Sequence, residues 1–327
     1  MTTRAKRMNW TAAGVETSAL RGVRALTAAE IGVVFQPIVD LATGKAFAHE
    51  ALVRCKRPEY QAPPVLFDAA VKEGACGHLG RIIREVTFAT SGDIPLFVNL
   101  HPEELSARWL VRPDDPVGFH TQPVFLEITE SAAFTHFEVC VEVLRELALR
   151  TGSRLAIDDF GSGHSNLERL VNLEPAIVKL DLALTRDVHT HPRKQAVVRH
   201  MVNLCAELGA QVVAEGVEHV EELRCVRDLG VQYAQGYLLA RPAAPPPPPN
   251  WPLGGSDPGH GKPRKMSELP PTRAAVPLPA GPSKRPPRNG QHPGRESKAA
   301  LRTTQRSVSR STAPGKNSPS TRRSSAG

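Results

Sequence analysis

The sequence predicts an α/β fold, a (β/α)8 barrel of the TIM type, on three observations. Eight short apolar runs bounded by turn residues recur in roughly 210 residues. Segments of helical periodicity lie between them. Acidic or amide residues stand at or near the carboxyl end of almost every run, where such barrels carry their reactive groups. A doubly wound open sheet is the competing architecture, but it gathers such residues at one crevice rather than from nearly every strand.

In chain order, strands are expected near 32–39, 48–54 (AHEALVR), 95–100 (PLFVNL), 124–130 (VFLEITE), 154–160 (RLAIDDF), 177–181, 211–217 and 233–239. The connecting segments 136–150, 192–208 and 219–229 space apolar residues by three and four, as do Val139, Val143, Leu144 and Leu147. That spacing lines one face of a helix. Alternating strands and helices of this kind are the pattern of parallel strands joined by crossover helices.

Composition changes near residue 245. From Pro245 to Gly327 there are 15 Lys or Arg against 3 Asp or Glu, a net +12, whereas the preceding chain has 26 against 30, a net −4. The overall charge of +8 therefore belongs to the tail. The tail also holds 18 prolines, opens with Pro245 to Pro249 and closes in Ser, Thr and Arg repeats. Such a segment lacks the apolar surface to fold and is expected to be disordered, with the proline run as a stiff spacer. The expected division is a short extension at 1–27, a barrel at 28–244 and a basic Pro/Arg-rich tail at 245–327.

No apolar stretch approaches the roughly 18 residues of a membrane span, and the amino terminus lacks the apolar core of a signal peptide. A cytoplasmic protein is expected. The five cysteines, Cys55, Cys76, Cys140, Cys205 and Cys225, never form C-x-x-C and fall mostly in helical patterns. They read as buried free thiols, not as a zinc site or a disulfide framework.

The main clue to chemistry is Glu50, Asn99, Glu127, Asp158, Asp159 and Glu215, each at the end of an apolar run. Taken singly, a strand-end carboxylate is usually an exposed residue or a helix cap. A converging set is different, because buried carboxylates lose hydration and repel one another unless cations are bound.

The segments FQPIVDLATGKAFAHEALVR, VNLHPEEL, EITE, AIDDFGSGHSNL, VKLD, VVAEGVE and QGYLLARP also occur here in order. Together they resemble the EAL-domain cyclic di-GMP phosphodiesterases over about residues 28–243. Any one of these strings is weak, and seven in register are specific. The resemblance implies a modified TIM-type barrel that opens cyclic di-GMP to linear pGpG with two divalent cations. The residue types agree: a phosphodiester is anionic and resists attack, and a cation lets water act as hydroxide near neutral pH. Hard oxygen ligands without His or Cys suit Mg²⁺ or Mn²⁺.

By motif position, Glu50, Asn99, Glu127 and Asp158 resemble ligands of one metal, and Asp159 with shared Asp158 those of a second. Glu215 resembles the family's essential glutamate, as general base or as ligand. Lys179 would place a cation among the carboxylates, where it stays protonated and orients water, its alternative being a side chain that snorkels to solvent. Arg54, four residues beyond Glu50, would share its strand face and take a phosphate oxygen, unless it merely pairs with an acidic neighbour. Gln36, Gln235 and Asp181 count with the substrate contacts, and Gly236 with close backbone approach. Glu130 resembles the anchor of the loop after the Asp-Asp pair.

This chain departs from the family pattern at His101, His164, Asn166 and Ala176, none of them a metal ligand. Members of the family are commonly dimers, which the resemblance extends to this chain. Two other readings stay open: a sensor that binds cyclic di-GMP without cleaving it, and a scaffold whose basic tail binds an anionic partner. The tail has little beyond Trp251 to stack on bases.

Overall fold

Eight strands close into a barrel in sequence order: β1 (Ile31–Asp40), β2 (Ala46–Cys55), β3 (Leu96–Asn99), β4 (Val124–Thr129), β5 (Arg154–Phe160), β6 (Ile177–Leu180), β7 (Gln211–Ala214) and β8 (Tyr233–Ala234). The computed structural model describes residues 22–106, 112–129, 137–162 and 167–254. The expectations for Glu130, His164, Asn166 and the chain beyond Gly254 lie outside the described residues.

The helices are α1 (Pro63–Lys72), α2 (Cys76–Thr90), α3 (Pro102–Ser106), α4 (Phe137–Thr151), α5 (Leu167–Leu173), α6 (Leu182–Thr185), α7 (Pro192–Glu207) and α8 (Val220–Asp228). In α4, Val143, Leu144 and Leu147 are buried as the spacing requires, while Val139 is exposed at the helix start. All five cysteines are free and only Cys225 is partly exposed. Among the described residues no helix is long and apolar enough to cross a membrane.

One departure from uniform parallel pairing modifies the expected barrel. β1 runs antiparallel to both β2 and β8, while the other neighbours are parallel. The link 41–45 is too short for a crossover helix, which takes a dozen residues or more. It is instead a hairpin turn in which Asp40 Oδ1 accepts from Ala42 N at 2.8 Å and Thr43 N at 2.9 Å. Such side-chain bonds are why Asp opens turns.

Period-2 alternation sorts the barrel interior into layers. Ile38, Ala48, Phe97, Phe125, Ala156, Ile177, Val213 and Tyr233 form an apolar floor. Phe47 stacks on Tyr233 at 4.1 Å and Phe97 on Phe125 at 4.3 Å within it. Two residues along each strand from a floor residue stands Gln36, Glu50, Asn99, Glu127, Asp158, Lys179, Glu215 or Gln235. The floor therefore closes one end of the polar layer to water. Truncating Phe97, which is fully buried, is expected to cost about 3–5 kcal/mol.

The expected tail boundary at Pro245 needs correction. Ala243 exchanges backbone hydrogen bonds with Phe35, Asn250 N donates to Leu239 O at 2.6 Å, and His49 Nε2 lies 3.0 Å from Pro247 O. Trp251 packs on the outer core and against Gly44 in the β1–β2 turn, so its ring is a packing group instead of a base-stacking one. Residues 243–254 thus strap β1 and β2 on the side where the hairpin leaves no crossover helix. Composition did not reveal this, because prolines in an extended strap keep their carbonyls as acceptors.

Candidate active site

Seven of the eight strands or their immediate ends bring a polar side chain around Lys179. Its Nζ lies 2.7 Å from Glu127 Oε1, 2.8 Å from Asp158 Oδ1, 2.7 Å from Glu215 Oε1 and 3.5 Å from Glu50 Oε2. Lys179 is 1 % exposed, so it does not snorkel to solvent. Burial favours the neutral amine, but the charges of Asp158, Glu127, Glu215 and Glu50 outweigh it and hold the ammonium well above the usual lysine range. Lys179 is a fixed cation, unfit to abstract a proton.

The amides hold this cluster in place. Asn99 Nδ2 donates to Glu50 Oε1 and to Glu127 Oε2, each at 3.2 Å. Gln235 Nε2 donates to Glu50 Oε2 at 2.6 Å and to Gln36 Oε1 at 3.1 Å, and Gln36 Nε2 donates to Ala240 O at 3.0 Å. Gln36 and Gln235 therefore orient Glu50 from behind. Gly236 is needed beside them, since a Cβ there would lie 2.1 Å from Val217 O. The close approach at this glycine is thus to protein backbone.

Asp158 and Asp159 are neighbours in β5, and regular alternation sends neighbours to opposite faces. A register irregularity between Ile157 and Phe160, with Asp159 at φ +56°, turns both carboxylates to the same end of the barrel. Asp is among the few side chains that tolerate this left-handed backbone. Such local distortions gather at functional sites.

The carboxylates carry the electrostatic cost of convergence. Burial, then the neighbouring Glu50 charge, pushes Glu127 well above the usual carboxylate range. Burial and Asp158 push Asp159 up to about 6. Burial, with Asp158 and Glu50 against the opposing pull of Lys179, pushes Glu215 up to about 8.

One ammonium has three protons, too few for four carboxylates. Glu127, Asp158 and Glu215 take the short contacts to Lys179, and Glu50 Oε2 stands farther off at 3.5 Å. Oxygens of Glu50, Glu127 and Asp158 lie within 4.8 Å of one another, as do those of Asp158, Asp159 and Glu215. These two hard-oxygen groups share Asp158 and fit divalent cations. Asn99 stands beside the first group, and an amide turned to present its oxygen would add a further hard donor there.

A cleft of about 480 Å³ opens beside Glu50, Asp158 and Asp159 and is flanked by Arg54, Phe67 and His101. Arg54 is exposed, and its Nη1 donates to Val53 O at 2.8 Å. Asp181 is the N-cap of α6, accepting from Ala183 N at 2.8 Å, and its charge is near enough to Asp159 to add to the rise of that carboxyl. The sequence reading overlooked Thr185, a buried residue whose hydroxyl donates to Glu215 O. A lone Thr in a short apolar helix gave no signal of it.

A sequence model of the EAL domain matches residues 21–242. RocR of Pseudomonas aeruginosa, named a cyclic di-GMP phosphodiesterase, is 33% identical over 233 residues, covering 67% of this chain and 59% of that protein. PdeR of Escherichia coli, named likewise, is 31% identical over 232 residues, covering 67% of this chain and 35% of that protein. The chain thus spans 59% and 35% of the length of these two relatives, less than two thirds of each. Among solved structures, Klebsiella pneumoniae BlrP1 in a manganese and cyclic di-GMP complex superposes with a TM-score of 0.56 at 33% identity, covering 65% of this chain and 56% of that one. An EAL domain protein of Listeria monocytogenes gives 0.58 at 30% identity, covering 65% and 89%. With its barrel, its motifs and its converging carboxylates, the chain belongs to the EAL domain family.

Proposed function

We propose that this chain hydrolyses cyclic di-GMP to linear pGpG in a site for two Mg²⁺ or Mn²⁺ ions. The observation that carries the reading is the sharing of Asp158 between two groups of carboxylate oxygens beside an open cleft. Glu50, Asn99, Glu127 and Asp158 would hold one cation, and Asp158 with Asp159 the other. Glu215 serves the second group as ligand or takes the proton of the attacking water. Cations held there would supply hydroxide-like water near neutral pH and would neutralise the phosphate.

The chain's own residues do the rest. Lys179 orients the water without taking its proton, and Gln36 and Gln235 keep Glu50 aimed inward. Arg54, at the cleft, binds a phosphate oxygen. The water oxygen bonds to phosphorus as the bond to the 3′ oxygen breaks, and that oxygen takes up a proton. The product keeps a 5′ phosphate. Pairing of two chains and salt-sensitive attachment of the +12 tail to a polyanion belong to the same proposal.

The test is incubation of the full chain with cyclic di-GMP and Mn²⁺ or Mg²⁺, with chromatography of the products. The reading expects pGpG, abolished by EDTA and suppressed by Ca²⁺, whose larger and looser coordination shell holds water less well. Stoichiometric binding without product at every metal concentration would convert the site to a sensor.

A further inference from the structure

A second buried ion cluster lies outside the carboxylate site. Arg84 of α2, Glu104 of α3 and Asp115 are 1 %, 1 % and 3 % exposed. Arg84 Nη1 donates to Glu104 Oε2 at 2.6 Å, while Nε and Nη2 grip the two oxygens of Asp115 at 3.2 and 2.9 Å. Helix α2 admits the carboxylate only because position 80 is glycine, where a Cβ would lie 1.9 Å from Glu104 Oε2.

The other oxygen of Glu104 faces the active site. Glu104 Oε1 accepts from His101 N at 3.1 Å, and His101 Nδ1 accepts from Glu103 N at 3.2 Å. The His101 ring stacks on Phe67 at 5.9 Å with planes 9° apart. One residue separates this turn from Asn99, the last residue of the four-residue strand β3. The ladder fixes Asn99 on one side, where Leu100 N donates to Glu127 O at 2.8 Å. The His101 turn fixes it on the other.

We propose that Glu104, clamped by an Arg84 that Asp115 holds in place, is a positioning residue: by holding the His101 amide it sets the orientation of Asn99 toward the metal. The inference rests on the metal-site reading given above. Stability alone does not call for charges here, since well-packed apolar groups replace buried ion pairs at little or no cost. What an apolar triad lacks is a directional acceptor for the His101 amide. Outer partners of this kind govern how a ligand meets its metal.

The test titrates Mn²⁺ into the metal-free full chain, with melting temperature as the folding control. Glu104→Gln has one acceptor oxygen for two donors and can keep the His101 bond only by turning its amide NH₂ toward Arg84, so it is expected to weaken Mn²⁺ binding about threefold to tenfold. Glu104→Met fills the same space without an acceptor and is expected to weaken Mn²⁺ binding about tenfold to a hundredfold. Arg84→Lys keeps the charge but loses the fork and is expected to fall between them. Folded Glu104→Met with wild-type Mn²⁺ affinity would overturn the proposal, and Arg84→Lys decides it alone if Glu104→Met does not fold. Turnover of cyclic di-GMP by wild type is read alongside. Its absence with the Mn²⁺ pattern intact removes the hydrolase reading and leaves the positioning role.

Discussion

Lys179 Nζ and Glu215 Oε1 lie 2.7 Å apart, joining β6 to the residue that follows β7. The same ammonium reaches Glu127, Asp158 and Glu50, so one cation compensates part of a larger negative charge. The protein has placed more carboxylate in a dry barrel than its own cations can balance. A divalent metal bound there would offset that deficit.

Lys179→Met is expected to lower the stability of the metal-free protein by about 3–5 kcal/mol, because removing one partner strands buried charge. Part of the loss should return with Mn²⁺. Urea unfolding with and without Mn²⁺ checks both, and turnover should fall in step. A variant as stable as wild type without metal would show that the ammonium adds nothing to holding these carboxylates together.

Glu50→Ala and Asp158→Ala are expected to lose turnover by several orders of magnitude, because a lost ligand removes both water activation and charge neutralisation. Arg54→Ala should instead mainly raise KM. Steady-state kinetics on the three variants separates the roles. Near-normal turnover in Glu50→Ala contradicts its place in the metal set.

Metal-free stability should fall as pH rises from about 4.5 to about 8. Over that window folded Glu215, pushed up to about 8 from 4.5, keeps a proton that the unfolded chain has released. Stability rises with pH only where the unfolded state binds more protons, and here it binds fewer. Asp159, raised from 3.8 to about 6, acts in the same direction at lower pH. Melting temperatures at pH 5.5, 7 and 8.5 should decline, less so in Glu215→Gln and less so with saturating Mn²⁺.

Cutting the chain after Pro242 should lower the melting temperature by about 5 °C or more, through loss of the strap bonds and Trp251 packing. Cutting after Gly254 should not. Thermal melts of the two truncations give the answer. Equal melting points would mean that the strap adds nothing to the barrel.

The eight strands and the converging carboxylates were legible because both follow from local rules: period-2 alternation and costly charges at strand ends. What escaped the sequence depended on partners far away along the chain. Val39 and Asp40 pair with β8, so the antiparallel strand answers to a neighbour nearly 200 residues on. Pro247 and Trp251 read as tail until His49 and the Gly44 turn are brought beside them. Gln36 and Gln235 were legible as site residues, but their service to Glu50 appears only once the barrel closes. Nothing local in the sequence marks Arg84 and Glu104 as buried.

The most direct test of the account is the number of Mn²⁺ ions bound per chain, by titration calorimetry or by metal analysis after equilibrium dialysis. Two shared-ligand groups predict two ions in wild type, one in Asp159→Asn and severely weakened binding of both in Asp158→Asn. A wild-type chain that binds one ion or none, or an Asp158→Asn variant that still binds two, would contradict it.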